Sequence, residues 1–143
     1  MKPCLADVSA VLPLLVRDHE HYKPARKWFD HLAANEAALC RHVQLAVIRL
    51  LGNRHIMGGL AMSAGTARRL VEELSHDERI SFIHEPESLD SVFPGLLNMP
   101  VPASKLVSDA YLAAFAISAS RRMVTFDSGF RQFKGLDVEI LAK

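Results

Sequence analysis

The sequence predicts an α/β fold on a mostly parallel sheet of four to five strands, in a single domain spanning residues 1–143. Three observations carry that prediction. Short apolar runs of strand length alternate with stretches of helical periodicity along the whole chain, which is the pattern of βαβ units. Half of the residues are hydrophobic and 23% are charged, enough apolar material for a core and enough charge for a solvated surface. A chain of 143 residues suits one core, and no internal repeat or low-complexity tract marks a second unit.

The elements follow in order. Residues 3–7 read as a short first strand, and residues 8–16 as a helix that Pro13 distorts. After the polar break "RDHEH", residues 22–34 read as a helix with Ala25, Trp28, Phe29 and Leu32 on one stripe. "AALC" at 37–40 is the second strand. Residues 42–51 form a very apolar helix stopped by "GN" at 52–53. Gly58 and Gly59 make a flexible connection, and Ser63 caps a helix running to about Leu74. "ISFIH" at 80–84 is the third strand. Residues 86–103, with four prolines, read as a loop holding one short helix. Ser108 is expected to cap a helix reaching about Arg121. "MVTF" at 123–126 is the fourth strand, and "DVEIL" at 137–141 a fifth, at the sheet edge.

The formal net charge is +1, so there is no global basic field of the kind a nucleic-acid binder carries. Any polyanion contact must be local, with Arg41, Arg49, Arg54, Arg68, Arg69, Arg121 and Arg122 as candidates; a solvated helix face is the plainer account of each. The N-terminal apolar stretch is interrupted by Asp7 and Pro13. It is too short to span a bilayer and lacks the shape of a secretory signal, which points to the cytoplasm and to no membrane partner. The two cysteines, Cys4 and Cys40, fall in strands and read as reduced, inert thiols.

Three aspartates stand out. Asp7 and Asp127 each end an apolar run, and Asp109 is expected at a helix start. Ligand sites of open α/β sheets lie beyond the carboxyl ends of the strands. Three carboxylates gathered there suit Mg²⁺ or Mn²⁺, which prefer carboxylate oxygen and water and complete their shell with substrate phosphate. Ser9 and Thr125, each two residues from an aspartate, are placed to orient a carboxylate by hydrogen bonding. Each aspartate taken singly also suits a helix cap, or the positive end of a helix dipole.

The ordered set "LADVSA", "SDAYLAAFA" and "VTFDSGF" resembles the motifs of PIN-domain proteins, most closely the VapC-type ribonuclease toxins of toxin–antitoxin pairs. "HYKPARKWFDHL" and "VQLAVIRLLGN" resemble one VapC subgroup. The resemblance runs from residue 4 to about 140. It implies a three-layer α/β/α sandwich with a metal-dependent endoribonuclease site, in which metal-activated water attacks an RNA phosphodiester. By that resemblance Asp7 and Asp109 are the principal metal ligands and Asp127 the third catalytic acid. It also implies a homodimer and a small VapB-type antitoxin. Exposed apolar residues of the second and third helices would offer a surface for either, though the same periodicity also suits core.

The chain departs from the family pattern in one respect. The helix after the second strand usually carries a glutamate; by register its place falls at Ala46, with Gln44 the nearest polar side chain. Gln44 is expected to point partly inward, either toward the site or into an ordinary buried hydrogen bond. Gly129 stands where many relatives have a polar or acidic residue. Fewer carboxylates imply weak metal affinity. Asp18 and Asp90 lie near loops, and His19, His21 and His31 flank the second helix without the spacing of a ligand pair on one helix face.

Two other functions would also place aspartates at strand ends. A PIN-like module that binds RNA or antitoxin without turnover would follow from the missing glutamate. A signalling receiver would need an aspartate after the third strand, where the chain has Glu85 and Pro86.

Overall fold

A computed structural model describes residues 2–143. Strands β1 (Cys4–Ala6), β2 (Ala37–Leu39), β3 (Ile80–Phe82), β4 (Arg122–Thr125) and β5 (Val138–Ile140) form one sheet in the order β3-β2-β1-β4-β5. Every neighbouring pair is parallel, and β5 is an edge strand. Strands with helices on both faces have no polar side to show, so β1 and β2 are wholly apolar and fully buried.

The helices are α1 (Val8–Val11), α2 (Tyr22–Asp30), α3 (Arg41–Leu51), α4 (Arg54–Met57), α5 (Ala64–Ser75), α6 (Leu89–Leu96) and α7 (Ala103–Ser118). They complete an α/β/α sandwich: α7 packs on β4, α5 on β3 and α3, and α6 on α7. One contiguous core joins Leu5, Leu39, Val47, Phe115, Met123 and Phe130. Among the described residues no helix is long and apolar enough to cross a membrane.

Three elements differ from the expectation. The first helix is α-helical only to Val11 and continues as a 3₁₀ turn over Leu12–Leu15. Pro13 has no N–H for the α-type bond and changes the winding. The second helix stops at Asp30, four residues early. The next N–H groups fold back in tight turns, His31 to the Trp28 carbonyl and Leu32 to that of Phe29, and Asn35 takes a left-handed φ of 58°. The last helix begins at Ala103 behind Pro102, so Ser108 caps nothing and Asp109 lies well inside it. The "GN" pair does end α3, and Asn53 then opens α4 by accepting the N–H groups of His55 (2.8 Å) and Ile56 (3.3 Å).

Leu39 on β2 is completely buried within this core. Leu39→Ala is expected to destabilise the fold by about 2–5 kcal/mol, read as a lower urea midpoint with an unchanged slope.

Candidate functional site

From β1 the chain moves outward to β2 and β3, then returns to the other side of β1 for β4 and β5. The crevice at the carboxyl ends of β1 and β4 is therefore the switch point at which open α/β sheets bind ligands. Asp7 follows β1 directly, and Asp127 follows β4 by two residues.

Asp7 is only 6% exposed. Its backbone N–H donates to the Val124 carbonyl at 2.9 Å, extending the β1–β4 ladder past the strand end. It occupies the N-cap position of α1, yet its carboxylate caps nothing there. Instead Oδ2 accepts the Ser9 hydroxyl at 2.9 Å and the Thr125 hydroxyl at 2.7 Å. Both hydroxyl oxygens in turn accept backbone N–H groups from beyond β4. Phe126 donates to Ser9 Oγ and Asp127 to Thr125 Oγ1, each at 2.9 Å. Each hydroxyl gives its one proton to Asp7 and accepts a backbone N–H of this turn, and the two oxygens lie 3.0 Å apart.

Asp127 is exposed, and its Oδ1 accepts the Gly129 N–H at 2.8 Å. The cap reading holds for this aspartate. A Cβ at position 129 would sit 3.0 Å from that oxygen, so the glycine leaves the carboxylate room to settle on the turn.

Asp109 is the reverse case. In the middle of α7 it gains nothing from the helix dipole. Among the described residues its carboxylate has neither a hydrogen-bond donor nor a cation at ion-pair distance. Burial, and then the charges of Asp7 and Asp127, push its pKa up to about 6.

An open cavity of about 500 Å³ joins Asp7 and Asp109, while Asp127 is not among the residues that line it. Asp7 and Val8 form one wall, Ser108, Asp109 and Leu112 of α7 another, and His42, Leu45, Ala46, Arg49 and Leu50 of α3 the third. Positions 42, 46 and 49 are spaced four and three apart and share one helix face. Ala46, at the register of the family glutamate, opens into this cavity. Gln44 does not. Its Oε1 accepts from Arg41 at 2.7 Å and its Nε2 donates to Ser75 at 3.1 Å, so it belongs to the α3–α5 seam and has no part in the site. Burial, and then Arg49, lower the pKa of His42, a cavity residue that the sequence did not single out. The α3 periodicity that places Arg49 opposite Asp109 would also have placed His42.

Other candidates lie elsewhere. Asp18 and Asp90 are exposed and line no part of the cavity. His21 stacks on Phe126 with ring centres 4.3 Å apart, and His19 Nδ1 accepts the His21 N–H, so both brace the turn beside β4. His31 is exposed and bonds to the Lys27 carbonyl of its own helix. Cys4 and Cys40 are buried free thiols, with burial pushing Cys4 up to about 12.

The donor set fits a hard divalent cation. All three groups are carboxylates, burial and then the charges of the other two raise the pKa of Asp109, and among the described residues no cation pairs with it. They do not converge into a closed cage: among the described residues no group of three or more His, Cys, Asp or Glu is gathered tightly enough to hold a metal ion.

The raised pKa of Asp109 gives a test in chelator-treated protein. Ionising this side chain costs the fold stability in full above about pH 6 and nothing below about pH 4, near the ordinary carboxylate value. Asp109→Asn is expected to raise Tm at pH 7.5, with the gap closing as pH falls to 4. A lower Tm at pH 7.5 contradicts this reading.

The PIN domain pattern matches residues 4–136. Ribonuclease VapC41 of Mycobacterium tuberculosis is 33% identical over 144 residues, covering 97% of this chain and 99% of the relative. Two solved structures share the fold. The VapC20 toxin of Mycobacterium tuberculosis, which cleaves the sarcin-ricin loop, superposes with a TM-score of 0.67 at 14% identity, over 90% of this chain and 93% of its own. A DNA-bound VapBC from Salmonella typhimurium does so with a TM-score of 0.69 at 14% identity, over 98% of each chain. The chain belongs to the PIN-domain family, within its VapC group.

Proposed function

We propose that the chain is the toxin of a VapBC-type pair, an endoribonuclease that hydrolyses RNA phosphodiester bonds with the help of Mg²⁺ or Mn²⁺ in the cytoplasm. The observation that carries this reading is Asp109: a partly buried carboxylate, unpaired, facing Asp7 across an open cavity at the switch point of the sheet. A fold keeps an uncompensated charge when a ligand compensates it.

Each residue has a definite task. Asp7, oriented by Ser9 and Thr125, and Asp109, oriented by its rigid helix, would hold the ion. Bound there, the ion would lower the pKa of a water and offset charge on the attacked phosphorus. Asp127, exposed on its turn, would orient the attacking water. With no carboxylate at Ala46, substrate phosphate oxygens would complete the ion's shell, so metal affinity in the absence of RNA is expected to be low.

A small VapB-type antitoxin is the expected partner, as solved VapBC assemblies suggest. Exposed apolar side chains beside the cavity support such a partner or a homodimer. Leu45 is 58% exposed on the cavity wall, and Val107 adjoins Ser108. The second helix, also expected to offer such residues, contributes none among the described exposed large hydrophobics; Ile56 and Leu60 do instead.

Purified protein with total RNA and Mg²⁺ or Mn²⁺ is expected to cleave, and chelator to stop it. Asp7→Ala should lower the rate by more than about a hundredfold, the upper end for loss of an outer-shell group. Binding without cleavage of any RNA would leave the non-catalytic PIN-like module as the better account.

A further inference from the structure

We propose that Arg49 grips a backbone phosphate of the RNA strand, across the cavity from Asp7 and Asp109, with His42 beside it on the same face of α3. The proposal takes RNA as the ligand from the reading above; the role of Arg49 is argued from the site.

The candidate arginines sort themselves by what they already hold. Arg41 bonds to Gln44 and lies over the Phe82 ring at 4.8 Å. Arg68 pairs with Glu72 at 2.8 Å, and Arg69 bonds to Thr66. Arg121 donates to the Cys4 carbonyl, and Arg122 faces Asp137 and Glu139. Arg54 lines a separate depression with Gly58 and Gly59. Arg49 alone of the seven lines the acidic cavity. It is exposed, and among the described residues no carboxylate lies within ion-pair distance and no acceptor holds its side chain. A guanidinium fork is suited to two phosphate oxygens at once.

The cavity needs such a group. Asp7 and Asp109 on its walls, with the charge of Asp127 added, repel a polyanion, and the net charge of +1 gives no general attraction. A cation on the opposite wall fixes where the strand lies and presents a neighbouring phosphodiester to the acids. Ala46 contributes by being small and neutral. A glutamate there would stand three residues before Arg49 on the same face and would pair with it. The chain thus lacks one carboxylate near the ion and gains a free cation toward the substrate.

The test is binding of fluorescein-labelled single-stranded RNA in chelator, followed by anisotropy at several salt concentrations. Arg49→Ala should weaken binding about tenfold and reduce the salt slope by about 0.7. Arg49→Lys keeps the charge without the fork, so the slope stays at the wild-type value while affinity is intermediate. Arg49 is exposed and unpaired, so both variants should fold, and circular dichroism checks it. Unchanged affinity and slope in Arg49→Ala overturn the proposal and leave the cation to a carboxylate of a protein partner. Absence of wild-type RNA binding at low salt overturns it as well. The two readings fail separately. A wild type that binds RNA through Arg49 but never cuts it refutes the nuclease alone. Cleaving protein whose RNA binding ignores Arg49 refutes the phosphate grip alone.

Discussion

A buried carboxylate at the end of β1 constrains everything around it. Asp7 is 6% exposed, and a charge so far from water must be met by donors. Ser9 and Thr125 supply them, one from α1 and one from the last position of β4. Because both hydroxyls also accept N–H groups from residues 126 and 127, the same network shapes the turn that carries Asp127. Placement of the first acid and placement of the third are one structural event. The parallel pairing of β1 with β4, continued by the Asp7 N–H to Val124, is what brings the two halves together.

Charge is distributed unevenly around the resulting cavity. Acids come from the end of β1 and from α7, and among the described residues the cationic wall is α3, through Arg49 with His42 nearby. Leu45, Leu50 and Leu112 add apolar lining to the same cavity. An arrangement of this kind is costly with nothing bound, since Asp109 stays partly desolvated beside two other carboxylates. It becomes favourable when a cation meets the acids and an anion meets the arginine. A metal ion with an RNA phosphate would satisfy both conditions together.

Much of this was legible in the residues. The alternation of short apolar runs with helices gave all five strands to within two residues at each end, because strands buried on both faces have no polar residue to blur them. Asp7 and Asp127 were identifiable from their places after β1 and β4, and Ser9 and Thr125 from their two-residue offsets. Asp109 was found for the wrong local reason. "SD" has the form of a helix cap, but Pro102 starts the helix six residues earlier, and packing of Leu106 and Ala110 overrides the local signal. Gln44 was rightly read as turned inward. Which neighbour it meets is a tertiary fact, and α5 supplies Ser75 on that side. The shortfall of one carboxylate was visible in the sequence, whereas its consequence for Arg49 needed the cavity.

The proposed chemistry depends on these carboxylates binding a cation. Calorimetric titration of Mn²⁺ into RNA-free protein, wild type beside Asp109→Asn, tests it most directly. The asparagine is isosteric and relieves repulsion in the metal-free fold, so lost binding cannot be blamed on unfolding. Weak but measurable binding by the wild type is expected, with affinity lower by at least about tenfold in the variant. Equal Mn²⁺ affinity in the two proteins would contradict it.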